Sequence, residues 1–501
     1  MLESRIDVAL EALDDEPVWL PDVFALIFDA LAEPDCPALD LRTALLQPQA
    51  LADTDLCIRR YLPELKKAQA VSLGSLTSEF KEFLRDGLHK LLDTDFRDAG
   101  ATDTLRALWV MESLLRSVGS WDENEPYAAH YRKKMVRGRT LIQDTEKVGG
   151  WLLPRCVGEN GPAHGWSRRA HAIDDLDDYF GYLVRIRYPQ LGIDYSRVDR
   201  LLFDMPRSDS LRVGVIPIVH DGEELNWSAP TSDSYRVRIR HNRRDELKGR
   251  MLEALNWLAE RKVDLVLMPE LVGSVGMLDA VQDWRRKHLS LWPRLILAGS
   301  FLLDPKNASE NPEEPDSPRE RNRAYVIKSD GDELCLQDKM HRQSVSPDDQ
   351  YKGMFRDQAH RSEHICITPR RLAVRDLGPG YRLCVLSWAD FSSPELQRKI
   401  AKLAVSTILV PAMNRPCTAS EYSVSTSEKG RLNARMAGAL CCIANSAALA
   451  QSHDIFQPID FADIVSAEEA FAGAECQEVM PAPPGSAFPQ AVIMRASPRF
   501  R

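Results

Sequence analysis

Val263-Asp264-Leu265-Val266-Leu267-Met268-Pro269-Glu270-Leu271 is a short apolar run that ends in a proline and then an acid. Apolar residues at five of the first six positions predict a buried β-strand. Pro269 fixes the backbone where the strand stops. Glu270 is therefore delivered to a strand's carboxyl end, where ligand sites of open α/β sheets gather. A carboxylate held among apolar neighbours has its pKa driven upward, which suits a general base. Taken alone, a strand-end glutamate is more often structural or solvated.

Outward from this strand the pattern alternates. Leu211-Arg212-Val213-Gly214-Val215-Ile216 reads as an earlier buried strand, with Pro217 expected to end or bulge it because proline removes a ladder donor. A helix is predicted over 245–261. Further strands fall near 295–298, 324–328, 333–338, 382–387 and 407–410, with helices over 394–404 and 428–439. Strands alternating with helices predict an α/β layered domain. Residues 304–321, rich in Pro, Asn, Glu and Ser, read as a surface insertion. Residues 486–495 offer a last strand.

The first two hundred residues read differently. Apolar residues at helical spacing over 23–32, 63–96 and 104–118 predict helices, with Asp103 as an N-cap. Residues 149–165, rich in Gly and Pro, read as a linker, and 174–188 as a helix ended by Pro189. These stripes read as packing surface, and no chemical motif stands out among them. The organisation expected is a helical N-terminal domain at 1–208, an α/β domain at 209–455 and a C-terminal extension at 456–501.

Composition narrows the function. The chain has 501 residues, 44% hydrophobic and 28% charged, with a formal net charge of -10, which does not suit a nucleic-acid binder. The densest basic stretch, 236–244, alternates Arg-x-Arg-x-Arg and reads as a solvated strand face, against a phosphate or acidic-partner contact. The ten cysteines form no CxxC pair and no cluster with zinc spacing. No signal peptide and no run near the roughly 20 apolar residues of a membrane span is present, so a cytoplasmic protein with reduced thiols is expected.

Two later stretches carry chemistry. In Asn322-Arg323-Ala324-Tyr325-Val326-Ile327-Lys328 and Glu333-Leu334-Cys335-Leu336-Gln337-Asp338-Lys339-Met340-His341, two strands flank a Ser329-Asp330-Gly331-Asp332 turn. Lys339 follows the second strand, placed to hold a developing oxyanion. In Cys384-Val385-Leu386-Ser387-Trp388-Ala389-Asp390-Phe391, a strand runs into an elbow, and Pro394 opens the next helix. Such elbows expose nucleophiles.

In this order and spacing the stretches resemble the nitrilase superfamily of carbon–nitrogen hydrolases. The matching pieces are Met268-Pro269-Glu270, Asp338-Lys339-Met340-His341, and Asp390 with Pro394-Glu395. Ala298-Gly299-Ser300, Leu409-Val410-Pro411-Ala412 and the stretch from Ala434 to Asn445 add secondary matches. The resemblance covers about half the chain. It implies a four-layer αββα sandwich, with Glu270 as general base and Lys339 as oxyanion-stabilising cation. It also implies a pocket that includes His341, Asp390 and Asn414. The ligand would be a small amide, nitrile or acyl compound, and the chemistry needs no metal or organic cofactor. A homodimer is implied, with 394–404 at or near its interface.

One position departs from the family. Counted back from Pro394-Glu395, the nucleophilic cysteine slot falls on Trp388, and an indole cannot attack a carbonyl. Three alternatives stay open. Trp388 is a plain substitution; a one-residue shift puts Ser387 at the elbow; or Cys384 serves, although about 13 Å back along the strand at roughly 3.3 Å per residue. The family's second glutamate has no obvious match after Lys339, where only Asp348 and Asp349 are offered. The resemblance thus implies a degenerate or non-standard hydrolase. The alternative is a ligand-binding or scaffold pseudoenzyme. It would act with a partner protein through the helical domain, as a component of a prokaryotic defence system.

Overall fold

The apolar run 263–268 folds around a short, fully buried strand, Leu265–Leu267, in the middle of a seven-stranded sheet. This is seen in a computed structural model. It describes residues 2–14, 20–33, 35–39, 48–71, 76–119, 151–154, 180, 183–186, 192–197, 211–220, 222–288, 292–303, 320–345, 360–367, 370–378, 381–393, 396, 400, 403, 405, 407–413, 440–446, 462–465, 475–482 and 489–496. The chain divides into two units, Met1–Pro189 and Gln190–Arg501.

The first unit is mainly helical, with α1 (Leu2–Asp14), α2 (Leu20–Leu31), α3 (Pro48–Val71), α4 (Ser78–Leu92) and α5 (Arg97–Gly119). In α4, Phe80, Leu84, Leu88 and Leu91 recur at helical spacing and are buried. Thr77 caps α4, its hydroxyl accepting from the Phe80 N–H at 3.3 Å. Asp103 is not an N-cap: α5 starts at Arg97, and Asp103 lies inside it, accepting from Lys90 Nζ at 3.1 Å. The stripe that orders α5 begins at Ala101, before the first leucine. The helix expected over 174–188 is corrected at 183–186, where strand β2 (Leu183–Ile186) pairs antiparallel with β1 (Trp151–Pro154); of the rest, only residue 180 is described. Val184 and Ile186 are β-branched and favour a strand. Arg185 between them is buried and donates two bonds to Asp29, at 3.1 and 2.8 Å.

The second unit begins with β3 (Gly192–Arg197), β4 (Leu211–Val215), β5 (Leu225–Ser228) and β6 (Ser234–Ile239). Then come α6 (Arg244–Glu260), β7 (Leu265–Leu267), α7 (Val275–Lys287), β8 (Leu295–Leu303), β9 (Arg321–Lys328) and β10 (Glu333–Asp338). They are followed by β11 (Ser344–Val345), β12 (Arg361–Glu363), β13 (Arg371–Gly378), β14 (Tyr381–Val385) and the one-turn helix α8 (Trp388–Phe391). The last strands are β15 (Thr407–Ala412), β16 (Leu440–Asn445), β17 (Ala462–Val465), β18 (Glu475–Met480) and β19 (Ala491–Ala496).

One sheet has the order β10-β9-β8-β7-β4-β19-β18, and another the order β17-β16-β15-β14-β13-β3. Strand β3, from the stretch assigned by sequence to the N-terminal domain, is an edge of the second sheet, parallel to β13. The two sheets share an apolar layer. Val213, Leu265, Leu297 and Val326 from the first meet Leu383, Val385, Leu409 and Ala444 from the second. On its other face the first sheet buries Val266, Ile296 and Ile493 against Leu255 and Leu258 of α6 and Val281 and Trp284 of α7. The fold is thus mixed α/β, helices on sheet on sheet. Most of 394–404 and all of 428–439, where an outer layer on the second sheet was expected, lie outside the described residues, as do 304–319. Strand β4 ends at Val215, two residues before Pro217. Among the described residues no helix is long and apolar enough to cross a membrane.

Candidate active site

Glu270 owes its position to a sharp reversal after β7. Leu271 has a positive φ of 58°, and its N–H donates to Ser300 Oγ at 3.1 Å. Ser300 N–H donates in turn to Pro269 O at 3.2 Å, and Glu270 N–H to Ala412 O at 3.2 Å. Strand β8 carries a register shift between Leu297 and Ser300, with Gly299 at φ +71°. A Cβ at Gly299 would lie 2.5 Å from Pro269 O. Both the backbone angle and the close approach demand glycine there. Gly299→Ala is expected to cost about 1–3 kcal/mol, read as a drop in chemical-denaturation midpoint.

The hairpin β9–β10 supplies the next groups. Gly331, with φ +87°, closes the turn by an N–H bond to Lys328 O at 3.1 Å. Alternation sorts the side chains at the hairpin's open end. Arg321 and Arg323 bind Asp338, while Asn322 between them donates to Glu270 Oε1 at 2.8 Å. Lys339 N–H donates to Asn322 O at 2.8 Å, so the lysine leaves the sheet beside that asparagine.

Lys339 Nζ lies 2.6 Å from Glu270 Oε1 and 2.5 Å from Glu363 Oε2. Asn322 also reaches Glu363 Oε1, at 3.2 Å. All four residues are at most 3% exposed. Glu363 ends β12, which pairs parallel with β6. The site is therefore one ammonium between two carboxylates in a buried setting. Burial opposes the charge on Lys339, but Glu270 and then Glu363 outweigh it and raise the lysine pKa. Burial, foremost, raises the pKa of Glu270; Lys339 opposes the rise and Glu363 adds to it. Oε2 of Glu270 has no hydrogen-bond partner among the described residues, which leaves it free to take a proton.

The raised carboxyl has a consequence for stability. Its folded-state pKa lies above its ordinary 4.5, so the stability its proton contributes is full below that pH and lost as pH rises through the raised value. The melting-temperature advantage of wild type over Glu270→Gln is expected to shrink as pH rises above the ordinary 4.5.

At the elbow, Ser387 caps α8, and its hydroxyl donates to Asp390 Oδ2 at 2.8 Å. Asp390 is fully buried and also accepts the Met340 N–H on both oxygens at 3.1 Å. His341 Nδ1 lies 2.9 Å from Asp390 Oδ1. Asp390 thus ties the segment that follows Lys339 to the elbow. The hydroxyl of Ser387 is given to Asp390 and not to Glu270. Trp388 occupies the first position of α8, half-buried, its ring 5.8 Å from that of Phe391. Cys384 is fully buried within β14, and burial raises its thiol pKa far above the usual range, so it is held as an unreactive neutral thiol.

Glu270 and Lys339 are brought together, and Ser387, Asp390 and His341 form a second group linked to them through Met340. Asn414, Asp348, Asp349, Pro394 and Glu395 lie outside the described residues. Sequence reasoning missed Glu363 and Asn322. The alternation Arg321-Asn322-Arg323 was the available signal for the asparagine; nothing local marks Glu363. The basic stretch expected on a solvated face is partly engaged, with Arg236 and Arg238 both on Glu320. Among the described residues no group of His, Cys, Asp and Glu is arranged to hold a metal ion.

No family model matches the chain, and no curated protein matches it. Among solved structures it is similar to an amidase from Nesterenkonia sp., at 15% identity, covering 57% of this chain and 90% of that one, with a TM-score of 0.34. A mutant of the amidase from Nesterenkonia sp. AN1, with the acetamide moiety of fluoroacetamide added covalently at the active site cysteine, matches at 16% identity over 58% of this chain and 93% of that one, TM-score 0.35. Another mutant of the Nesterenkonia AN1 amidase, described as from the nitrilase superfamily, matches at 14% identity over 57% and 90%, TM-score 0.33. Likenesses of that size assign neither activity nor substrate to this chain.

Proposed function

We propose that the second unit is a nitrilase-type, carbon–nitrogen hydrolase module that keeps its binding pocket and has lost the usual covalent step. The observation that carries this reading is the buried Glu270–Lys339–Glu363 cluster. Two carboxylates flank one ammonium, and Glu363 takes the place of the second glutamate that the resemblance to that superfamily requires. In this reading Lys339 and Asn322 polarise the carbonyl or nitrile of a small ligand, and Glu270 holds a proton beside it. The fold is the αββα sandwich of that superfamily, and Trp388 stands where its cysteine would attack. Cys384 is too buried to replace it, and Ser387 is occupied as a cap.

A second reading, an active serine enzyme, is favoured by the 2.8 Å bond from Ser387 to the Asp390 carboxylate, which pairs a hydroxyl with a base. Intact-mass spectrometry after incubation with a panel of amides, nitriles and acyl esters separates the two. The wild type is expected to carry no adduct, as are Cys384→Ala and Glu270→Gln. An acyl adduct on the wild type that vanishes in Ser387→Ala would replace this reading with the serine enzyme.

A further inference from the structure

Leu271, next to the buried Glu270, lines a groove of about 310 Å³ formed by β6, the first turns of α6 and α7 and the end of β8. That volume is at the lower end of small-ligand pockets. Its walls include the apolar side chains of Leu271, Val275, Met277, Phe301 and Leu302. Val275 is 55% exposed there, an apolar surface left to solvent.

The charged residues of the groove are unevenly matched. Arg238 is bound to Glu320. Asp245 sits in the first turn of α6, where a carboxylate complements the helix end. Arg244 and Lys248 stand one turn apart on α6, and neither has an acidic partner among the described residues. The first turn of α7, which also lines the groove, holds no acidic residue. An apolar wall beside two unmatched cations is complementary to one kind of ligand.

We propose that this groove binds a small amphipathic anion, its carboxylate or phosphate head on Arg244 and Lys248 and its apolar body against Leu271, Val275 and Phe301. The assignment is independent of what the buried carboxylate cluster does. Arg244 and Lys248 outnumber Asp245, the one carboxylate of the lining, so an anionic head is favoured over a cationic one, and a bare anion gains nothing from the wall.

Gly276 provides a clean way to close the groove. It lines the wall, and a Cβ added there meets nothing within 4 Å. Gly276→Trp therefore adds bulk at the groove's wall without a clash at its Cβ. Isothermal titration of the full chain with octanoate and with octyl phosphate tests the proposal, with octylammonium and inorganic phosphate as controls. At least one of the two amphipathic anions is expected to bind saturably, and the tighter one identifies the head group. The Arg244→Ala/Lys248→Ala variant, which changes only surface side chains, is expected to weaken binding about tenfold or more. Gly276→Trp is expected to abolish it. Failure of both anions to bind, equal binding of octylammonium, or affinity unchanged in the double alanine variant overturns the assignment.

Discussion

Lys339→Met is expected to destabilise the second unit by about 3–5 kcal/mol, the cost of leaving buried charge without its partner. Among the described residues the lysine is the only cation paired with Glu270 and Glu363, and all three groups are out of solvent. Without it, two like charges face each other in a low dielectric, and one must take up a proton. The loss is therefore expected to be largest at neutral pH and smaller in acid. Adding Glu270→Gln and Glu363→Gln to Lys339→Met should restore most of the stability, because the triple variant buries amides rather than ions. Urea unfolding of the three proteins, wild type, Lys339→Met and the triple variant, measures this. A Lys339→Met variant as stable as wild type would mean the cluster is not buried as described.

Asp390→Ala is expected to cost about 2–4 kcal/mol, because it strands buried donors on two segments. Its carboxylate accepts from the Met340 N–H and the Ser387 hydroxyl and holds the His341 ring. Removing it loosens the elbow and the segment next to Lys339 together. Asp390→Asn keeps one acceptor oxygen and should cost about half as much, since the charge-assisted part is lost. Hydrogen exchange at Met340 reports the local effect. Protection of that amide should fall in Asp390→Ala and be partly kept in Asp390→Asn. Unchanged protection in both would show that the backbone bond is not made.

Much of this arrangement was legible in the chain, because each legible part is local. The apolar run before Pro269 gave a strand with an acid at its end. The Ser329–Asp332 turn gave a hairpin and so placed Lys339 at a strand end, and the turn residues after Val385 gave the elbow. Glu363 was hidden because its place depends on β12 pairing with β6, a contact between distant stretches that leaves no periodicity behind. Asn322 shows by alternation that it faces away from its arginine neighbours, but only the packed sheet tells which side is interior. The strand at Leu183–Ile186 follows from its β-branched residues and its pairing with β1, and the helix start at Arg97 from an apolar stripe that begins at Ala101, ahead of the leucines that suggest a cap at Asp103.

The proposed function rests on Trp388 standing in the nucleophile slot beside the Glu270–Lys339–Glu363 cluster. Trp388→Cys tests it most directly, by intact-mass spectrometry with small amides and activated acyl esters. The account predicts an acyl adduct on Trp388→Cys that is absent from the wild type and absent from Trp388→Cys/Glu270→Gln, mapped to residue 388 by peptide analysis. A folded Trp388→Cys protein that takes no adduct, or takes one equally without Glu270, would contradict it.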